Sequence, residues 1–79
     1  MEQKKVAVYS TSTCPYCKMA KDFLDDNGVR YESYDVGADE SRRKEMMDKS
    51  GQMGVPVIDI GGKIIIGFDK EAIKAELGI

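Results

Sequence analysis

The segment Val6–Leu24 reads "VAVYSTSTCPYCKMAKDFL", and its periodicity changes halfway along. Val6 to Ser10 is mostly apolar, as in a strand buried on both faces. Beyond Cys14 the spacing becomes helical. Met19, Ala20, Phe23 and Leu24 share one face, while Lys21, Asp22 and Asp25 point away. At the junction stand Cys14 and Cys17, the only two cysteines of the chain.

Outward from this segment the elements alternate. Asn27-Gly28 stops the helix, with Gly28 suited to a left-handed cap. Val29 to Val36 ("VRYESYDV") reads as a second strand, ended by Gly37. Asp39 or Ser41 caps a helix running to about Ser50, expected to bury Met46, Met47 and Ala38 and closed by Gly51. Pro56–Ile60 and Lys63–Ile66 form a hairpin across Gly61-Gly62. Asp69 caps a last helix from Lys70 to Leu77, ended by Gly78. The order β-α-β-α-β-β-α predicts one α/β domain over residues 1–79, with a mixed four-stranded sheet and three helices. Its first βαβ unit implies a parallel strand pair with a right-handed crossover.

Composition narrows the function classes. Of 79 residues 42% are hydrophobic, enough for a small core, and 33% are charged with a net charge of only −2. No face is one-sidedly basic, which argues against nucleic-acid or anionic-membrane binding. Arg42-Arg43-Lys44 is flanked by Asp39, Glu40, Glu45 and Asp48 and reads as a solvated helix face. The apolar run after Lys5 is too short for a signal peptide, and no stretch is long enough to cross a bilayer. A cytoplasmic location is expected, where thiols are kept reduced.

Three chemistries compete for Cys14 and Cys17. As a disulfide staple, so short a loop contributes roughly 2 kcal/mol before strain, against about 3 for a 15-residue loop. As a structural zinc site the pair lacks partners, because the chain has no histidine and no third cysteine. The redox reading fits the placement. Cys14 opens the helix, among amide N–H groups that no helical carbonyl uses and at the positive end of the dipole. Both favour the thiolate. Pro15 sits in the first turn, where its missing N–H costs nothing, and Lys18 adds positive charge. Motifs of this spacing bring a thiol from about 8.5 to roughly 3.5–7.5. Cys17, one turn deeper, is expected to be shielded, less acidic, and placed to attack a mixed disulfide formed at Cys14. Pro56 has two readings, a strand-entry residue with no ladder donor to lose or a cis proline.

"TCPYC" near the start, "VP" opening the third strand, the Gly-Gly hairpin and "GFD" after the fourth resemble the glutaredoxins over nearly the whole chain. The resemblance implies the thioredoxin-like fold and a cis Val55–Pro56 bond beside Cys14. It implies thiol–disulfide exchange with Cys14 as nucleophile and Cys17 as resolving thiol. Glutathione is the implied co-substrate, framed by Thr13, Pro15 and Tyr16, paired with the Val55 backbone before Pro56, and bounded by Gly67 and Phe68. Asp69 receives its amine, although on bare sequence Asp69 is equally a helix cap, Tyr16 an exposed aromatic and Gly67 a plain strand end. Gly67 is also expected to allow close backbone approach. No tightly bound cofactor and no metal are expected. Partners are disulfide-containing or glutathionylated proteins, and the chain is expected to act as a monomer.

Departures from the family pattern point to a second reductant. Thr11 stands where many glutaredoxins carry a lysine for a glutathione carboxylate, and Gly54 where threonine is usual. Ile66-Gly67-Phe68 replaces the glycine pair, is more apolar, and resembles redoxins recharged by a flavin reductase, thioredoxin reductase. Lys63, Gln52 or Lys18 are candidate substitutes for the missing cation. An iron–sulfur binding role, known in some relatives, is disfavoured by the stiff Pro15.

Overall fold

The computed structural model describes residues 5–52 and 54–79. Its elements are β1 (Val6–Ser10), α1 (Pro15–Asp26), β2 (Glu32–Asp35), α2 (Glu40–Ser50), β3 (Val57–Ile60), β4 (Lys63–Ile66) and α3 (Lys70–Leu77). The strands form a four-stranded sheet in the order β2-β1-β3-β4. β1 runs parallel to β2 and antiparallel to β3, and β4 is antiparallel to β3. This is the expected mixed sheet.

β1 is buried along its whole length because helices cover both faces of the sheet. Val6 and Val8 join Ile58, Ile60 and Ile65 under Ala20 and Leu24 of α1 and Ile73 of α3. Ala7 and Tyr9 face the other way, with Val57, Val36 and Met46 of α2. Each fully buried aliphatic side chain contributes about 1.5–3 kcal/mol relative to exposure, so alternation along β1 holds both layers to one sheet.

The chain after α1 departs from expectation. The second strand spans only Glu32–Asp35. Gly28 adopts φ 67, its N–H reaches the Asp25 carbonyl, and the Val29 N–H reaches the Leu24 carbonyl at 2.9 Å. Val29 is thus committed to closing α1 and to the core beside Leu24 before the backbone can pair with β1. In α1 the buried stripe is Cys17, Ala20 and Leu24. Met19, expected on that face, is 48% exposed, because a helix starting at Pro15 turns Cys17 inward instead. In α2 Met46 is buried, but Met47, one residue and so about 100° round the helix, is exposed. Ala38 is also exposed, in the turn before the Asp39 cap.

The hairpin forms across Gly61 (φ 58) and Gly62 (φ 99), the two left-handed positions of a tight turn. β3 begins at Val57 rather than Pro56, which has no N–H to donate to the ladder. The Val55–Pro56 bond is cis. Polar contacts pin α2 to the sheet. Tyr9 Oη donates to Glu45 at 2.6 Å, and Lys49 Nζ donates to Tyr9 Oη at 3.2 Å and to Asp59 at 2.8 Å. The hydrogen bonds to Asp59 and Tyr9 hold the Lys49 ammonium well above its ordinary range. Arg42 is not merely solvated: its guanidinium lies 3.9 Å from the centre of the Tyr34 ring. Among the described residues no helix is long and apolar enough to cross a membrane.

Candidate active site at the start of α1

β1 delivers the chain to a turn at Ser12-Thr13, closed by the Cys14 N–H on the Thr11 carbonyl at 3.4 Å. Cys14 then takes the N-cap position of α1, with φ −90 and ψ 111. Its Sγ accepts a hydrogen bond from the Cys17 N–H at 3.2 Å. A cap position usually presents the oxygen of Ser, Thr, Asp or Asn to such a donor; here a sulfur receives it, at the positive end of the helix dipole. An amide directed at sulfur stabilises negative charge there. Pro15 occupies the first helical position, so the break in the donor row falls where no helical partner existed.

Both thiols are free, but their settings differ. Cys14 is half-buried and reachable, while Cys17 is 1% exposed. Burial pushes the Cys17 thiol up to about 11, reinforced by its hydrogen bond with Cys14. A hydrogen bond with the Thr11 backbone and the charge of Lys21 pull the other way, with less effect. The expected contrast between a reachable and a shielded sulfur is present.

A second segment reaches the same sulfur from across the fold. The Val55 carbonyl lies 3.8 Å from Cys14 Sγ, close enough to accept from the thiol. Pro56 is buried, and its carbonyl accepts from the Gly67 N–H at 2.8 Å, joining the end of β4 to the site. Gly67 is needed for its φ of 80, and a Cβ built there meets no atom of the described chain within 4 Å.

The remaining candidates divide. Thr13, Pro15 and Tyr16 flank the sulfur on the exposed side, with Tyr16 62% exposed. Phe68 is half-buried and meets Phe23 edge-on, 6.0 Å between centroids, as part of the core packing. Asp69 is exposed and caps α3, its Oδ1 accepting from the Ala72 N–H at 3.1 Å. Of the substitute cations, Lys63 sits at the hairpin beside Ile60, whose β1 partner is Val6, so it lies at the opposite pole from Cys14. Lys18 pairs with Asp22 at 2.9 Å. Gln52 lies over Gly54, where a Cβ would come within 3.3 Å of its amide nitrogen. Thr11 was not singled out for its backbone, yet that backbone contacts both cysteines; main-chain contacts leave no residue-type signal.

The sequence model of the Glutaredoxin family matches residues 6–65, a span holding both cysteines and the Val55–Pro56 bond. The chain belongs to the glutaredoxin family. A glutaredoxin-like protein of a rubredoxin operon in Clostridium pasteurianum is 44% identical over 68 residues, 86% of this chain and 91% of that one. Glutaredoxin 3 of Escherichia coli is 38% identical over 64 residues, 81% of this chain and 77% of that one. The crystal structure of a thioredoxin-like protein, 34% identical, superposes with a TM-score of 0.91 over 96% of this chain and 97% of the other. The protein is therefore a thioredoxin-like redox protein, and Cys14 and Cys17 are the redox pair of this glutaredoxin.

Proposed function

We propose that this glutaredoxin is a thiol–disulfide oxidoreductase acting on protein disulfides and glutathione mixed disulfides. The observation that carries the reading is the asymmetry of the pair. Cys14 Sγ is reachable and receives an amide hydrogen bond at 3.2 Å, whereas Cys17 is buried and protonated at neutral pH.

The Cys14 thiolate attacks one sulfur of the substrate disulfide. A new S–S bond forms to Cys14, and the other substrate sulfur leaves as a thiolate that takes a proton from solvent. Cys17 then gives up its proton and attacks the Cys14 sulfur, closing the Cys14–Cys17 disulfide and expelling the second substrate thiol. Alternatively a second glutathione performs this step. Two electrons pass from the dithiol to the substrate, and two glutathione molecules return them. During attack the substrate chain pairs with the Val55 backbone in the manner of strand addition. Thr13, Pro15 and Tyr16 border the entering group, Pro56 and Gly67 support the Val55 segment, and Phe68 backs it. Asp69 receives the glutathione amine while its Oδ1 keeps the α3 cap. The reaction takes place in the cytoplasm, with the chain acting as one unit.

Cys14→Ser should abolish activity on both substrates, and Cys17→Ser should retain exchange with glutathione mixed disulfides. An active Cys14 variant sinks the assignment.

One observation favours a second electron source. Lys63 lies at the far pole and Lys18 is paired with Asp22, so neither stands ready for a glutathione carboxylate. Recharging by a flavin reductase such as thioredoxin reductase is the competing reading. NADPH consumption with glutathione and glutathione reductase, compared with thioredoxin reductase alone, separates them. A rate only in the second arm replaces glutathione as the reductant.

A further inference from the structure

The sheet has two open edges, β2 and β4, and they are guarded differently. β2 reads Glu32-Ser33-Tyr34-Asp35, with an acid at each end. If a second copy paired antiparallel along it in full register, Glu32 would face Asp35, and like charges directly opposite destabilise a pair. β4 reads Lys63-Ile64-Ile65-Ile66. It has no acid, no proline and a regular register with β3, so most of the devices that keep an edge from pairing are missing.

The ladder shows which of its groups are open. Gly61-Gly62 is a tight turn between Ile60 and Lys63, so that pair exchanges both ladder bonds, as does Ile58 with Ile65. The Gly67 N–H on the Pro56 carbonyl continues the same alternation. Ile64 and Ile66 consequently turn their N–H and C=O groups away from β3. Among the described residues no hydrogen bond reaches those groups. The Ile66 side chain is 52% exposed, on the α2 side of the sheet.

We propose that β4 is a self-association surface, on which a second copy of this chain adds its own β4 antiparallel about a two-fold axis at Ile65. In this register Ile64 faces Ile66 of the second copy, and Ile66 faces its Ile64. Outward-pointing groups then meet outward-pointing groups, and each of these pairs exchanges two hydrogen bonds. Paired side chains in an antiparallel sheet share a face, so Ile64 and Ile66 of both copies cluster on the α2 side and cover the exposed Ile66. Lys63 meets Gly67 of the second copy, and no like charges oppose. The interface is isologous, which closes at two copies. Such short strands place it at the small end of interfaces, below about 1,200 Å², so the dimer is weak and concentration-dependent. β3 and β4 lie between β1 and the seam.

Sedimentation velocity on the full chain tests this, with the protein fully reduced and repeated with Cys14→Ser to exclude an intermolecular disulfide. From low micromolar to near-millimolar protein the mean mass should rise toward that of a dimer, and exchange of the Ile64 and Ile66 amides should slow in parallel. Ile66→Pro removes an N–H that bonds to none of the described residues, and Ile66→Lys puts a charge into the isoleucine cluster. Each should raise the dissociation constant by about tenfold or more. A mass that stays monomeric throughout, a dimer indifferent to both variants, or growth beyond two copies would overturn the proposal.

Discussion

Raising the pH should weaken the native state through Cys17, by an amount the structure sets. Its thiol ionises at an ordinary value of 9.0 but is pushed to about 11 in the fold, chiefly by burial. Below the unfolded value both states hold the proton, and the stabilisation is present in full. Between the two values the unfolded chain loses the proton first, so stability falls by about 1.4 kcal/mol per pH unit. The whole effect is on the order of a few kcal/mol, about half of it gone by about pH 10. The same displacement makes the Cys17 thiolate about a hundredfold rarer at neutral pH than that of an ordinary thiol. Urea unfolding of the reduced protein and of Cys17→Ala, between about pH 7 and about pH 10, measures this. Tyrosines and lysines titrate in both proteins, so the difference isolates Cys17. The stability gap should narrow by about half of that effect, on the order of 1 kcal/mol, across the range. A gap that does not change refutes the burial argument.

Further outcomes follow from other positions. Asp69→Ala removes the α3 cap and should cost about 1 kcal/mol in urea unfolding; Asp69→Asn should keep the cap yet raise the KM for glutathione if the carboxylate meets its amine. Leu24→Ala, at the centre of the α1 layer, should cost about 2–5 kcal/mol, with exchange by the remaining folded protein retained. Gly67→Ala must adopt φ 80 and should lose about 1–2 kcal/mol although space is available, read as a lower thermal midpoint. Hydrogen bonds from Tyr9 and Arg42 lower the Glu45 carboxyl below its ordinary 4.5. Its contribution is therefore present above that value and lost as the pH falls below it. Acid unfolding should begin at higher pH in Glu45→Gln.

The fold was legible where local signals agree with tertiary demands. Gly61-Gly62 names its own turn because both positions require positive φ, and Asp39 and Asp69 mark helix starts because their carboxylates accept the amides of Arg42 and Ala72. Helical spacing put Met19, and apolar content Met47, on buried faces that the observed helix registers turn toward solvent. Val29 looked like strand and serves as the end of α1, a competition between two uses of one N–H. At the site, Cys14 and Cys17 were legible from spacing and from the empty list of other ligands. The approach of the Val55 carbonyl to Cys14, forty-one residues away, depends on the β1–β3 pairing and needed the structure. The Tyr9–Glu45–Lys49–Asp59 contacts were hidden for a similar reason, because they join three elements whose charges look solvated in the sequence.

Brief alkylation of the reduced native protein with iodoacetamide at neutral pH, followed by peptide mapping, asks directly which sulfur reacts. One adduct is predicted, on Cys14, with Cys17 unmodified until the chain is unfolded. Modification of Cys17 at a comparable rate, or an inert Cys14, would contradict the division of labour on which the account rests.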